Sequence, residues 1–171
     1  MTVLGLDLSL TSTGVAVGSW TKAIRPKRLT SYARLRYLRS AVLDVAFEHL
    51  PTLVVVEGPS FNSVGNGQHE RGGLWWMVTE MLDEAGLPLA VAPPANVKKY
   101  ATGKGNADKD AVLLAASRRF PEFAGGNDEA DAMWLGAMGA AWLGHPLADM
   151  PELNKAALEG VKWPPLIVPR D

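Results

Sequence analysis

The sequence predicts an α/β protein. Its expected core is a mixed five-stranded sheet, three antiparallel N-terminal strands followed by parallel ones, with helices on both faces. Three observations predict this. Two apolar runs open the chain with only a Ser/Thr/Gly cluster between them, which is hairpin spacing. Later runs alternate with stretches whose apolar residues recur at helical spacing. The run TLVVVEGP, residues 52–59, is continuously apolar and β-branched, as in a strand covered on both faces.

Residues 2–9 read as a buried strand and 14–20, GVAVGSW, as its hairpin partner. A third short strand falls in the basic segment that follows. From 31 to 50 the apolar positions Leu35, Leu38, Val42, Val45 and Ala46 form one helical stripe, capped by Thr30 or Ser31 and ended by Pro51. The next strand is 52–59. Residues 60–70, SFNSVGNGQHE, are polar and glycine-rich, and predict a flexible loop. A helix is expected over 73–85, closed by Gly86. A further strand, LPLAVAPP, is stopped by prolines. Residues 96–100 suggest a short helical turn, 102–106 a loop and 107–119 a helix. The last strong helix spans 128–143 with Asn127 as its N-cap.

At 171 residues the chain is one domain by size, able to bury roughly 68–70% of its unfolded surface. We expect the main folded domain at 1–144. The remainder, 145–171, carries five prolines and the helical stretch LNKAALEGV, and reads as an extension packed on the domain or on a dimer partner. No apolar run reaches the ~20 residues that span a bilayer. The first residues lack a basic n-region and a cleavage site, and there is no cysteine. These features predict a cytoplasmic protein without a membrane partner. The net charge of −1 hides an asymmetry. Lys22, Arg25, Lys27, Arg28, Arg34, Arg36 and Arg39 fall within 22–39 with no acid among them, whereas eight acids face three bases from Phe120 onward. A neutral sum can therefore conceal a basic face, although a solvated surface is the blander account.

Acids stand out of place at three points. Asp7 interrupts an apolar strand, Glu57 ends another, and Asp128 and Asp131 share one face of a helix's first turns at i, i+3. Singly, each has an ordinary explanation, and acids in a first helical turn commonly complement the dipole. Jointly they point elsewhere. If the first and fourth strands are neighbours, Asp7 and Glu57 approach each other, and a helix docked there adds the other pair. Carboxylates ~4 Å apart repel by ~4 kcal/mol at an effective dielectric of 20, so a cation is needed. Hard oxygen ligands select Mg²⁺, with Mn²⁺ as substitute, and two-metal sites assist in-line displacement at phosphorus. Asp7 would then be a ligand shared by two ions.

Four motifs in order, GLDLSLTSTG, VVVEGPSF, VKKYATGKGNADK and NDEADAMWLG, give residues 2–144 the look of a known family. The chain resembles a RuvC-type Holliday junction resolvase of the RNase H-like superfamily, with its phage branch as one placement. That resemblance implies a Mg²⁺-dependent homodimeric endonuclease that nicks branched DNA, four-way junctions and also forks and flaps, leaving 5′-phosphate ends. Asp7, Glu57, Asp128 and Asp131 fall on the family's four acidic ligands. Lys98 and Lys109 fall on basic residues that support cleavage, and Phe61 resembles an aromatic that contacts bases. Lys98, Lys99 and Lys109 read equally well as solvated helix charges without the family match. Arg25, Lys27, Arg28, Arg34, Arg36, Lys99, Lys104, Arg118 and Arg119 are candidate phosphate contacts. The hairpin reads DLSL where many relatives have Asp-Pro-Gly, and the tail is not basic.

Other readings have specific weaknesses. An actin-like ATPase or sugar kinase shares the first motif but needs two such domains and a second glycine-rich loop. An RNA-processing nuclease of the same superfamily is separated only by substrate. A branched-DNA-binding protein that does not cut would have no use for four clustered acids. His49, His69 and His145 lack ligand spacing, and neither a G-x-S-x-G elbow nor a Walker loop is present.

Overall fold

A computed structural model describes residues 1–59 and 67–165. Five strands, β1 (Val3–Asp7), β2 (Thr13–Val17), β3 (Trp20–Ile24), β4 (Leu53–Glu57) and β5 (Leu89–Ala92), form one sheet in the order β3-β2-β1-β4-β5. The pairs β1–β2 and β2–β3 are antiparallel, and β1–β4 and β4–β5 are parallel. The helices are α1 (Ser31–His49), α2 (Gln68–Glu84), α3 (Pro94–Thr102), α4 (Lys109–Arg119), α5 (Asn127–Trp142) and α6 (Glu152–Lys155), the last running into a 3₁₀ turn, Ala156–Gly160.

Strand side chains alternate between two cores, as a period of two requires. Leu4, Leu6, Val15, Val54 and Val56 pack with α1 and α2 on one face. Val3, Ala16, Leu53, Val55, Ala90 and Ala92 pack with α3, α4 and α5 on the other. The central strands β1 and β4 are thus buried on both sides, which explains their unbroken apolar runs.

Helix α5 lies unusually close to the sheet. A methyl group on Gly5 would run into the Ala132 carbonyl, and one on Gly14 into the Asp128 carbonyl. From the helix side, a Cβ on Gly139 would lie 2.7 Å from both Val3 and Val55. Glycine is required here for close approach of two backbones. Helix α5 starts at the Asp7 end of β1, beside Gly14, and reaches the Val3 end at Gly139.

Several boundaries differ from expectation for local reasons. Helix α2 begins at Gln68, because Gly67 enters the left-handed region at φ 90° and starts the helix five residues early. The expected turn at 96–100 is a full helix, α3, with Pro94 in its first turn and Gly103 ending it at φ 80°. Asn127 is the first residue of α5 and not its cap. Gly126 takes the cap position, its N–H donating to the Glu129 carboxylate at 3.1 Å. Thr30 caps α1 without a side-chain bond.

The segment after α5 packs on α3. Asn154 Nδ2 donates to the Tyr100 carbonyl and Asn96 Nδ2 to the Ala157 carbonyl, both at 2.7 Å. Trp163 stacks on Trp142 with ring centroids 4.8 Å apart. Lys162 forms an antiparallel bridge to Val91, so this segment covers part of the β5 edge.

Candidate active site

Parity and register bring the first two acids together. Val3, Gly5 and Asp7 share the α5 face of β1, and Leu53, Val55 and Glu57 share the same face of β4. Leu6 is opposite Val56 in the parallel ladder, so Asp7 and Glu57 end adjacent strands one step further on. Adjacent strands lie about 4.8 Å apart. The turn after β1 is held by Thr13, fully buried, whose hydroxyl donates to the Ser9 carbonyl at 2.8 Å and accepts from the Ser9 N–H at 3.1 Å.

The close seating of α5 on Gly14 delivers Asp128 and Asp131 to this end of the sheet. The proximity has electrostatic consequences. Burial pushes the Asp7 carboxyl well above its usual range, and Glu57, Asp131 and Asp128 push it further. Burial, then repulsion by Asp131, raises Glu57 to about 7. Asp131 is raised mainly by burial and also by Asp128. Two lysines oppose these shifts: Lys109 at Asp7, Glu57 and Asp131, and Lys98 at the latter two. Asp108 fixes Lys109 by capping α4, accepting from the Ala111 N–H at 2.8 Å. Trp134 then ties α4 to α5, donating to the Val112 carbonyl at 3.2 Å.

Among the described residues none of the four carboxylates forms a salt bridge. Nor does any group of three or more acidic or histidine side chains among them form a ready-made metal cage. The acids repel one another across the site. The donor set is all oxygen, anionic and partly buried, which fits a hard divalent cation.

A cleft of about 700 Å³ opens at Asp7 and Glu57 and continues along Gln68, His69, Arg71 and Trp75. Trp75 donates its indole N–H to the Glu57 carbonyl at 3.0 Å, fixing the end of β4 to α2. Its neighbour Trp76 is 69% exposed. Sequence reasoning missed Arg71 and the role of Trp75. The early helix start at Gly67, which puts Arg71 on α2, has no signal in the sequence beyond a permissive glycine, and the bond of Trp75 to the Glu57 carbonyl has none.

The other expected site residues divide by position. Lys99 lies beside Lys98 on α3, and Lys104 is exposed in the loop after it. Arg25, Lys27 and Arg34 line one cavity, with Arg28 and Arg36 exposed nearby in sequence. Arg118 and Arg119 end α4, roughly 14–15 Å of helix from Lys109. Arg119 lines a cavity with Gly18 and Ser19, at the opposite end of the sheet from the acids, and donates to the Asp149 carbonyl. The structure does not bring this pair to the site. Phe61 lies outside the described residues.

No family model matches the chain. Among curated proteins, the crossover junction endodeoxyribonuclease RuvC of Parvibaculum lavamentivorans is 30% identical over 146 residues, 79% of this chain and 83% of that protein. The enzyme of the same name from Rickettsia bellii is 29% identical over 146 residues, 78% of this chain and 92% of its own. Among solved structures, Thermus thermophilus RuvC matches with a TM-score of 0.70 at 23% identity, over 88% of this chain and 100% of that one. The same protein in complex with Holliday junction substrate matches at 0.64 and 22% identity, over 88% of this chain and 99% of that one. Fowlpox virus resolvase with Holliday junction DNA matches at 0.53 and 15%, over 84% and 99%. The fold is the RNase H-like one of these resolvases.

Proposed function

The chain belongs to the RuvC family of crossover junction endodeoxyribonucleases, and from that premise we propose that it nicks four-way DNA junctions at the site formed by Asp7, Glu57, Asp128 and Asp131. One observation carries the assignment. Asp7 and Glu57 end adjacent strands on one face, and the acidic first turns of α5 are seated against that same end.

The four carboxylates would hold two hard divalent cations, Mg²⁺ with Mn²⁺ as substitute. Bound there, such ions supply Lewis-acid activation of water and of the scissile phosphate. Asp7, whose carboxyl feels the other three acids, would contribute to holding both. The chain's own groups supply the rest. Lys109 and Lys98 place positive charge where the phosphoryl oxygens gather negative charge in the transition state. Trp75 keeps the Glu57 end of β4 in place through its carbonyl bond. Backbone phosphates flanking the cut meet Arg25, Lys27, Arg28, Arg34 and Arg36, and also Lys99 and Lys104. Such contacts position DNA without reading its sequence.

A four-way junction presents two equivalent strands to cut, which a homodimer matches by symmetry. The exposed Trp76 on α2 supports a partner surface there. Residues 1–144 are the catalytic unit in this reading, and 145–171 an extension whose described part steadies α3 and its lysines through Asn154 and Ala157. The products carry 5′-phosphate and 3′-hydroxyl ends. The protein acts in the cytoplasm.

Labelled four-way junction, flap and linear duplex, incubated with Mg²⁺ or EDTA, test the reading on wild type and Asp7→Asn. Paired symmetric nicks in the junction are expected, lost with EDTA and in the variant. Equal cutting of flaps and forks would broaden the substrate class. No cleavage of any DNA with Mg²⁺ or Mn²⁺ would overturn it.

A further inference from the structure

The acidic cleft does not end at Arg71. That residue also lines a second cavity, of about 390 Å³, with Ser9, Thr11, Arg34 and Glu70. Thr11 and Arg34 in turn line a third, which reaches Arg25 and Lys27. The three form one groove that runs from the carboxylates to the connection between β3 and α1. Its walls are cationic along this course, and Glu70 is the one acid lining its second and third parts among the described residues.

Glu70 is paired with Arg34. The Arg34 Nη2 stands 3.4 Å from Glu70 Oε2, joining the first turns of α1 and α2. The contact is long for a charge-assisted bond, which prefers 2.7–2.9 Å. Arg34 Nε is buried and has no hydrogen-bond partner among the described residues. A guanidinium offers five N–H donors in a fixed fork suited to a bidentate oxyanion. Here one loosely held carboxylate engages one of its nitrogens, and an inward donor is left over.

We propose that this groove carries the phosphodiester backbone flanking the scissile bond, and that Glu70 occupies Arg34 until a backbone phosphate displaces it. The inference rests on the nuclease reading above and adds a gate to it. Arg71, shared by the cleft and the groove, is the first phosphate contact beyond the acids. A backbone in the wrong path never exchanges with Glu70 and meets an acid instead.

Equilibrium binding of a fluorescent four-way junction in EDTA, over a range of salt concentrations, tests the gate. The proteins compared are wild type, Glu70→Gln, Arg34→Gln, the double variant and Arg71→Gln. Glu70→Gln should bind about two- to fivefold tighter, the scale of one solvent-accessible ion pair. That gain should vanish in the double variant. Arg71→Gln should bind more weakly, with the slope of log K against log salt reduced by about 0.9, one phosphate's worth. Unchanged or weaker binding by Glu70→Gln overturns the gate. So does an equal gain in the Arg34→Gln background, which would mean simple removal of a negative charge. An unchanged salt slope in Arg71→Gln overturns its phosphate contact. Loss of the nuclease reading looks different: wild type itself would neither bind nor, with Mg²⁺, cut the junction.

Discussion

Replacing Glu57 by Gln should make the metal-free protein more stable while destroying its activity. In the fold this carboxyl titrates at about 7 instead of 4.5, chiefly through burial and then through repulsion by Asp131. Between those two pH values the folded chain holds a proton that the unfolded chain has released. Stability therefore falls as pH rises across the window, and above it the deficit is constant. The interval from 4.5 to about 7, at roughly 1.4 kcal/mol for each pH unit, amounts to about 3 kcal/mol. Glutamine keeps the size and polarity but never ionises. At pH 8 in EDTA the variant should be more stable by up to that amount, and near pH 4 the two proteins should match. For a chain of 171 residues each kcal/mol moves Tm by about 2–4 °C, so the gap at pH 8 is about 6–12 °C. Thermal and urea unfolding at pH 4, 6 and 8 measure it. Mg²⁺ should narrow or reverse the gap, because it stabilises the form that binds it and an amide is the poorer ligand. A variant no more stable than wild type at pH 8 in EDTA, or a difference that ignores pH, would refute the reasoning.

Further outcomes follow from the same geometry. Gly5→Ala should cost at least about 1–3 kcal/mol in urea melts by overpacking against the Ala132 carbonyl, and should slow cleavage by shifting α5. Trp75→Phe keeps the ring but loses the bond to the Glu57 carbonyl. It should lower the single-turnover rate by about tenfold, the value of one hydrogen bond, and leave junction affinity unchanged. Lys109→Ala removes the cation that lowers the Asp7, Glu57 and Asp131 carboxyls. The acidic limb of its pH–rate profile should therefore move to higher pH, with weaker activation by Mg²⁺.

The sheet was legible because its signals are local. An unbroken run such as LVVVE can only be a strand covered on both faces, and the hairpin cluster before Thr13 admits one connection. The acids were legible for the opposite reason: Asp7 and Glu57 violate those runs, and the violation is the signal. The beginning of α2 was not legible, since a left-handed glycine at 67 is indistinguishable in sequence from the other glycines of that loop. Without it, Arg71 could not be placed on α2 at the cleft, and the role of Trp75 rests on a single long-range bond to the Glu57 carbonyl. Arg118 and Arg119 misled for a related reason. Charge content says nothing about which end of a helix reaches a site, and α4 presents Lys109 to the acids and its arginines to the far end. The segment after α5 holds α3 through Asn154 and Asn96, single long-range bonds that no periodicity announces.

Where Gly5 and Gly14 let α5 rest on bare backbone, the approach of the helix acids to the strand acids is set by main-chain contact. The far end of the helix is set differently, by side chains, where Gly139 meets Val3 and Val55. A change of side-chain volume there acts about 12 Å of helix away from Asp131. The acid end keeps its seat as long as the two glycines stay, so the two ends of one helix carry different tolerances to drift in the interior.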